Sequence, residues 1–353
     1  MFTDILRQLA FLLIAEMDES LAVQYCYPLH NASCTKSVRS TYEYVLMYLT
    51  FSVMSAVTVF VNLLVIISIS HFKQLHTPTN LLILSLAVAD FLVGLIVIPV
   101  EAIQLTETCW YFGQEFCFIF QCIVYTLLSS SLGHLVLIAV DRYAAVFDPL
   151  LYSQRITVNK TCISTCLIWS CSVLYNLLLL YCNRSVNFSL DDTFCHGQCF
   201  LYISFEWGIF DLIISFIAPC AVMITLYLRI FQVATYQASI INSISAGVGC
   251  VDDNKVPRKA EGKAAKTLGI VVTVYLLCWI PYYLCLLTAD ASEASAFTIT
   301  LLTWILYANS CMNPLIYALF YTWFKTAVRH ILTLKILESS SSFINLLSES
   351  DLS

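Results

Sequence analysis

The stretch that decides the fold is residues 202–228, which read YISFEWGIFDLIISFIAPCAVMITLYL. It is apolar over a length sufficient to cross the hydrocarbon core of a bilayer, which takes about 20 residues of α-helix. Six further stretches share this character, and together the spans fall near 43–71, 78–104, 114–146, 157–181, 202–233, 264–288 and 297–320. Because helices satisfy every backbone group in lipid, the sequence predicts an all-α membrane protein, a bundle of seven transmembrane helices.

Composition and charge place the rest of the chain. Of the 353 residues, 59% are hydrophobic and only 11% are charged, which excludes an ordinary soluble protein. Thirteen of the 17 lysines and arginines fall on one side of the predicted spans, and positive charge stays cytoplasmic. We therefore expect an extracellular N-terminal segment (1–42), a membrane domain (43–320), an amphipathic helix (321–334) and a cytoplasmic tail (335–353). The expected location is the plasma membrane.

Asp211 is a carboxylate in the middle of the fifth predicted span, where a charge costs about 2.5–3.5 kcal/mol. No lysine or arginine falls in the apolar middle of any span, so the expected partner of Asp211 is a cationic ligand. Two other interpretations stay open: Asp211 is protonated and hydrogen-bonded within the bundle, or it faces lipid. Ser204 and Ser215 share its helical face, whereas Glu206 lies nearer the surface and is expected to be interfacial.

The predicted outer side also carries six cysteines and three glycosylation sequons. Oxidation is allowed there, and an even set of cysteines predicts three disulfides whose connectivity the spacing leaves open. The cysteines are Cys26, Cys34, Cys109, Cys117, Cys195 and Cys199, and the acceptor asparagines are Asn31, Asn183 and Asn187. Residues 1–16 contain a short apolar stretch and are expected to be either a start-site extension before Met17 or a weak signal segment.

Each predicted span carries a short motif. In chain order these are Asn62, Leu86-Ala87-Val88-Ala89-Asp90, Cys117 with Asp141-Arg142-Tyr143, Trp169, Pro219 with Tyr227, Cys278-Trp279-Ile280-Pro281, and Asn313-Pro314-Leu315-Ile316-Tyr317. Each motif alone is weak, but the full set in this order resembles the rhodopsin-like G-protein-coupled receptors over about residues 42–332. The resemblance implies a seven-helix receptor with a short amphipathic eighth helix and a heterotrimeric G protein as its partner.

The same resemblance assigns roles to residues on the cytoplasmic side. Arg142 is expected to pair with Asp141 in a charge-assisted contact that holds the receptor inactive, with Glu261 as the second partner of this lock. Release of the lock would let helix six swing outward. The other residues of the coupling and activation machinery are Tyr143, Pro219, Tyr227 and Tyr317.

A second polar group is predicted inside the bundle. Asp90 and its neighbours match the pocket that holds an allosteric sodium ion in this class, and the alternative is a protonated Asp90 in a buried polar network. The matching neighbours are Ser131, Asn309, Ser310 and Asn313.

The seventh span resembles a narrower family. Residues 309–324, NSCMNPLIYALFYTWF, match the fingerprint of trace amine-associated receptors, and Cys109-Trp110-Tyr111-Phe112-Gly113 is similar to that family too. The resemblance implies the disulfides Cys117–Cys199, Cys26–Cys195 and Cys34–Cys109, with the two N-terminal pairs open to exchange.

The chain departs from the usual amine-receptor pattern at one position. Most amine receptors carry an aspartate seven residues after the cysteine of helix three, where this chain has Val124. It therefore resembles a fish-expanded branch of the family, in which the amine-binding acid is on helix five, the position of Asp211. Glu101, at the top of the second span, is a secondary candidate that could serve a diamine.

Aromatic side chains are expected to enclose the ammonium of the ligand, at about 0.5–2 kcal/mol for each cation–π contact. For each of them, packing of the membrane core is the alternative role. By resemblance these residues are Tyr125, Trp279, Tyr282, Tyr283, Trp304 and Tyr307.

The function expected from these residues is a chemosensory, olfactory receptor for amines. The resemblance implies a stimulatory G protein and cAMP, with arrestin and receptor kinases as further partners. A receptor for a peptide or a lipid is the alternative, because the usual acid of helix three is missing. A transporter is disfavoured, since no inverted repeat is visible. No constellation of residues suggests an enzyme, and no nucleic-acid partner is expected.

Overall fold

The computed structural model describes residues 24–30, 32–187, 195–199, 204–247, 255–288, 296–320, 322–338, 341–344 and 346. Several helix ends within these ranges are described by their backbone alone, notably 184–187, 237–247, 255–268, 286–288 and 317–320. Residues 1–16, which include the predicted start-site extension or signal segment, lie outside the described residues. The predicted glycosylation acceptor Asn31 also lies outside them.

Helices dominate the described chain, and we number them α1 to α8. They are α1 (Thr41–His71), α2 (Pro78–Glu107), α3 (Gln114–Phe147), α4 (Val158–Asn187), α5 (Phe205–Leu212, Ile213–Ile217 and Ala218–Gly247 without a break), α6 (Lys255–Thr288), α7 (Ala296–Phe320) and α8 (Thr322–Leu332). A short helix, Pro149–Arg155, connects α3 to α4, and two short strands, β1 (Gln24–Tyr25) and β2 (Thr35–Lys36), form an antiparallel hairpin before α1.

Five of these helices, α1 to α5, are long and apolar enough to cross a membrane, and α6 has a shorter apolar part, Gly269–Cys285, among its described residues. In the bundle, α3 packs against α2, α4, α5 and α6, while α7 closes the ring against α6 and α1. The predicted helical membrane bundle is therefore confirmed, with α3 at its centre.

Local sequence explains where the first helices begin. Ser40 and Glu43 form a capping box at the start of α1: the Ser40 hydroxyl accepts from the Glu43 N–H at 3.3 Å, and the Ser40 N–H donates to the Glu43 carboxylate at 2.8 Å. Thr77 caps α2 in the same way and precedes Pro78 at its first position. These caps satisfy amide groups that a helix end would otherwise leave without partners.

Two of the membrane helices contain a π-turn, and in each a proline follows two residues later. The turns are Val93–Val97, before Pro99, and Ile213–Ile217, before Pro219. A proline lacks its N–H and crowds the carbonyl four residues earlier, so the helix widens there to accommodate it. The wider turn re-aims the side chains of the neighbouring turns, and both π-turns lie close to the acids described below.

The third cytoplasmic loop is shorter than the sequence indicated. Hydropathy places it at about 234–262, but α5 continues to Gly247 and α6 already begins at Lys255. The reason is that an apolar run marks the crossing of the bilayer, whereas a helix continues into water for as long as its backbone hydrogen bonds continue.

The outer face is closed by three disulfides, and the N-terminal pairing implied by family resemblance is wrong. Cys117–Cys199 forms as expected, but the other two bridges are Cys26–Cys109 and Cys34–Cys195. The local backbone decides this. The Cys34 N–H donates to the His196 carbonyl at 2.9 Å, which places Cys34 beside Cys195. The Tyr27 hydroxyl donates to the Trp110 carbonyl at 3.1 Å, which places Cys26 beside Cys109.

The prediction of glycosylation at Asn183 is contradicted by the structure. Its side chain is buried in α4, where the amide donates to the Leu179 carbonyl at 2.7 Å and its oxygen accepts from the Ser204 N–H at 3.4 Å. A sequon acceptor has to be presented on an accessible surface. The side chain of Asn187, the third acceptor, lies outside the described side chains.

The C-terminal segment folds back under the bundle. In α8 the aromatic and small side chains of Trp323, Phe324 and Ala327 are buried. Beyond it, Leu346 is fully buried and its N–H donates to the Gln74 side chain at 3.0 Å. Ser341 is also buried in this fold-back.

Candidate ligand-binding site

Asp211 lies inside the bundle, held by two hydroxyl groups. Its Oδ1 accepts hydrogen bonds from Tyr175 of α4 at 2.9 Å and from Ser215, one turn further along α5, at 2.6 Å. The Asp211 carboxylate also lies within electrostatic range of the Tyr125 hydroxyl of α3 and the Tyr283 hydroxyl of α6. The predicted alternative that Asp211 faces lipid is therefore disfavoured, because three neighbouring helices surround the carboxylate.

Tyr175 is a partner that sequence reasoning missed. A single tyrosine in an apolar span carries no signal for such a contact, because its role depends on which helix packs opposite. Ser215 was expected to share the helical face of Asp211, and it does so as a direct donor. Ser204, also expected on that face, instead precedes α5 as its N-cap residue.

Below Asp211, aromatic rings of α5 and α6 form a continuous stack. Trp279 is 7% exposed and stacks on Tyr275 and Tyr283, with ring centroids 5.4 and 5.9 Å apart. Phe216, which sequence reasoning missed, has its ring centroid 4.3 Å from that of Tyr283 and so connects α5 to the stack. The Trp279 indole N–H is buried and has no hydrogen-bond partner among the described residues.

A second group of tyrosines lies near Glu101. The hydroxyl of the buried Tyr307 of α7 lies within hydrogen-bonding reach of the carboxylate of Glu101, on α2. Tyr282 of α6 contacts the Tyr283 ring edge-on, with centroids 5.9 Å apart, and lies within electrostatic range of Glu101. The structure thus brings four of the six predicted aromatics into two adjoining clusters around Tyr125, which is itself the fifth.

Trp304, the sixth predicted aromatic, is not part of these clusters. Its side chain is 39% exposed and makes no ring contact with the other described aromatics. Val124, at the position where most amine receptors carry an aspartate, is buried in the core of α3 beside Tyr125. The upper bundle therefore has its acids on α2 and α5 and none at this position of α3.

Asp90 is completely buried in a polar network that matches the predicted group in part. Its two oxygens accept hydrogen bonds from Ser131 at 3.5 Å and from Asn313 at 2.9 Å, and Ser310 also donates to it. Asn309, by contrast, makes no described hydrogen bond to Asp90, and its buried side-chain oxygen has no partner among the described residues. The network therefore contains one orphaned acceptor oxygen.

Arg142 forms the predicted contact with Asp141 near the C-terminal end of α3, at 2.5 Å. Two further residues complete the cluster. The Thr79 hydroxyl of α2 donates to Asp141 at 2.8 Å and accepts from Arg142, and the Tyr152 hydroxyl donates to the other Asp141 oxygen at 2.8 Å. Burial raises the pKa of Tyr152, so this phenol stays protonated.

Thr79 and Tyr152 were missed because neither belongs to the motif of α3. Tyr152 reaches the cluster because the short helix Pro149–Arg155 folds back beneath α3, with the Tyr152 N–H donating to the Asp148 carbonyl at 3.0 Å. Arg142 and Tyr152 also line an open cleft of about 570 Å³.

The remaining residues of the predicted activation machinery are only partly placed. The ring of Tyr143 stacks on Phe147, with centroids 5.1 Å apart. Tyr227 of α5 faces α6, where its ring lies 3.8 Å from the point at which a methyl group on Gly269 would sit. Two partners implied by resemblance, Glu261 and Tyr317, lie outside the described side chains.

Comparison with known proteins agrees with this architecture. Residues 61–317 match the family model of the seven-transmembrane receptors of the rhodopsin family. Trace amine-associated receptor 13c of Danio rerio is 40% identical over 331 residues, 92% of this chain and 96% of that receptor. Trace amine-associated receptor 8a of Rattus norvegicus is 42% identical over 337 residues, 93% of this chain and 97% of that receptor. Trace amine-associated receptor 6 of Pan troglodytes is 40% identical over 93% of this chain and 97% of its own length. This chain belongs to the trace amine-associated receptors, within the rhodopsin family of seven-transmembrane receptors.

Proposed function

We propose that this receptor is activated by amines whose ammonium group pairs with Asp211. The names of its relatives support this chemical class, and the geometry of Asp211 supports the choice of this carboxylate. The observation that carries the proposal is a carboxylate inside the bundle that has hydroxyl donors on one oxygen and no described cation nearby. Unpaired carboxylates at this depth are functional by default.

The chemistry of the site follows from which oxygen is free. Because Tyr175 and Ser215 both donate to Oδ1, that oxygen is oriented and largely satisfied. No described side chain donates to Oδ2, so an ammonium binds there through a short, charge-assisted hydrogen bond. The rings of Tyr125 and Tyr283 then face the cation and its first methylene groups.

The signalling half of the proposal rests on the cytoplasmic cluster. Seven-transmembrane receptors of this family act on heterotrimeric G proteins, and Arg142 is the residue that the cluster around Asp141 and Tyr152 restrains. Coupling to a stimulatory G protein with cAMP as the product belongs to the proposal, as do arrestin and receptor kinases as later partners. So do expression in olfactory neurons and an extracellular N-terminus.

A sodium ion near Asp90 is a separate part of the proposal. A hard cation takes oxygen ligands, and Asp90, Ser131 and the orphaned oxygen of Asn309 supply them, with Asn313 beside Asp90. Bound sodium would balance the charge of Asp90. Agonist potency is then expected to depend on sodium concentration in the wild type and to lose that dependence in Asp90→Asn.

The decisive experiment compares Asp211→Asn with Glu206→Gln in cells that carry a cAMP reporter and display the receptor at a measured surface level. Asparagine keeps the Oδ1 acceptor for Tyr175 and Ser215, so the fold is retained while the charge is lost. A charge-assisted pair worth about 3 kcal/mol predicts a loss of potency of more than about a hundredfold for alkylamines. Glu206 is exposed at the start of α5, and its variant keeps the wild-type curve. An unchanged curve for Asp211→Asn at normal surface level would refute the site, and a response to peptides or lipids alone would favour the non-amine alternative.

A further inference from the structure

Glu101 is a second carboxylate that the fold turns into the upper bundle. In sequence it belongs to the acids of the outer side, but the structure places it on α2 one turn beyond the π-turn Val93–Val97. A π-turn holds an extra residue and so rotates the part of the helix that follows. The Glu101 carboxylate consequently lies within hydrogen-bonding reach of the Tyr307 hydroxyl of α7.

The described surroundings of this carboxylate are tyrosine hydroxyls. Tyr282 of α6 and Tyr125 of α3 lie within electrostatic range of it. Among the described side chains no lysine, arginine or histidine forms an ion pair with Glu101. An ionised carboxylate offers about four acceptor positions, and one phenol leaves most of them open. A carboxylate that faces the interior of a bundle without a cation is costly.

Gln104, one turn further along α2, has a side-chain oxygen that also lacks a hydrogen-bond donor among the described residues. Its amide nitrogen donates to the Cys199 carbonyl at 3.4 Å, but its buried oxygen has no hydrogen-bond partner among the described residues. Residues three apart lie on one face of a helix. This face of α2 is therefore complemented by a ligand that brings hydrogen-bond donors.

We propose that Glu101 is a second cation subsite and that the preferred ligands are diamines, with one ammonium on Asp211 and the other on Glu101. The inference rests on the proposed function of Asp211. Helix α3 packs between α2 and α5, and both carboxylates act on its Tyr125 from those two helices. The hydrocarbon chain of a linear diamine thus lies across Tyr125, and each ammonium meets a carboxylate that a tyrosine hydroxyl already orients.

The test uses the full-length receptor in cells with a cAMP reporter and a series of linear diamines of increasing length. Monoamines and amino alcohols of the same lengths serve as matched ligands with one charge. Two-point binding predicts a single optimum of diamine length in the wild type. Glu101→Gln lowers the potency of the optimal diamine by about tenfold to a hundredfold, the range for a lost hydrogen bond to a charged group. The potency of monoamines stays within about threefold of the wild type, because their single ammonium binds Asp211 and makes no hydrogen bond to Glu101.

A second variant keeps the charge and moves it. In Glu101→Asp the carboxylate retreats by one carbon–carbon bond, so the optimum shifts to a diamine that is about one methylene longer. Such a shift cannot arise from a general loss of folding, which keeps the test valid if Glu101→Gln fails to reach the surface. Glu206→Gln, an exposed carboxylate on the same side, leaves the optimum where it was.

Three results would overturn the inference. The first is an equal loss of diamine and monoamine potency in Glu101→Gln. The second is an optimal diamine length that is the same in Glu101→Asp as in the wild type. The third is a wild-type potency that rises steadily with diamine length and shows no optimum. If amino alcohols lose as much as diamines, Glu101 recognises a hydrogen-bond donor and the cation subsite is wrong. Failure of the proposed function has a different appearance: no amine activates the wild type, or Asp211→Asn responds normally.

Discussion

Replacement of Gly197 by alanine tests the packing of the disulfide-bonded segments around Cys26. Gly197 has a φ of +105°, and a Cβ added there would lie 2.6 Å from the Cβ and 3.1 Å from the Sγ of Cys26. Neither residue is free to move. Cys26 is bonded to Cys109, and the Gly197 carbonyl accepts from the Trp110 N–H at 2.8 Å. The methyl group therefore meets a neighbour that is covalently fixed.

The expected cost has two parts that a matched control separates. A side chain held at positive φ costs about 1–3 kcal/mol, and overpacking adds about 1–3 kcal/mol. Gly113 also has positive φ, +81°, but a Cβ there meets nothing within 4 Å. Gly113→Ala therefore carries the backbone cost alone, and Gly197→Ala exceeds it by the cost of the clash, about 1–3 kcal/mol.

The assay is the apparent melting temperature of each purified variant in the same detergent, with free thiols counted by maleimide labelling. At about 2–4 °C for each kcal/mol, Gly197→Ala melts roughly 2–12 °C below Gly113→Ala. It also shows more unpaired cysteine, because Cys26 is displaced from Cys109. Equal melting temperatures for the two variants would refute the packing of Gly197 against Cys26.

Three further predictions concern other parts of the molecule. Tyr152→Phe removes the 2.8 Å hydrogen bond to Asp141 and, at about 1.5 kcal/mol for a bond to a charged group, is expected to raise basal cAMP several-fold; an unchanged basal level at equal surface expression would contradict this. The hydrogen bond from Lys36 to Glu107 raises the pKa of Lys36. The stabilisation from this pair is therefore present below about pH 10 and is lost as the pH rises through the pKa of Lys36 in the folded protein. Lys36→Met costs about 0.5–1 kcal/mol at neutral pH and removes this alkaline dependence of the melting temperature. Leu346→Asp, at a fully buried position, speeds proteolytic removal of the tail, whereas Leu337→Asp, at a position 80% exposed, leaves the rate unchanged.

Much of the fold follows from the sequence because lipid permits so few structures. An apolar run of sufficient length has to form a helix, so the membrane spans and the central position of the motif residues could be predicted. Asp211 could be selected as a candidate site for the same reason, since the cost of its charge in lipid does not depend on the details of packing. The Arg142–Asp141 contact was predictable because the two residues are adjacent.

Contacts between distant segments could not be predicted in this way. The pairing of Cys34 with Cys195 depends on a backbone bridge between Ser33 and His196, which no spacing encodes. The sequon at Asn183 looked accessible because the loop was expected to begin earlier, but α4 continues past it and buries its amide.

The sequence by itself determined that this chain is a helical membrane receptor with an acid on helix five, because length, hydropathy and charge act locally along the chain. Only the tertiary structure decided which side chains surround that acid and which surround Glu101. Tyr175 reaches Asp211 because α4 packs beside α5, and the π-turn Val93–Val97 precedes Glu101, which meets Tyr307 inside the bundle. Both arrangements arise from how helices rotate and pack against each other, and that depends on all seven helices together.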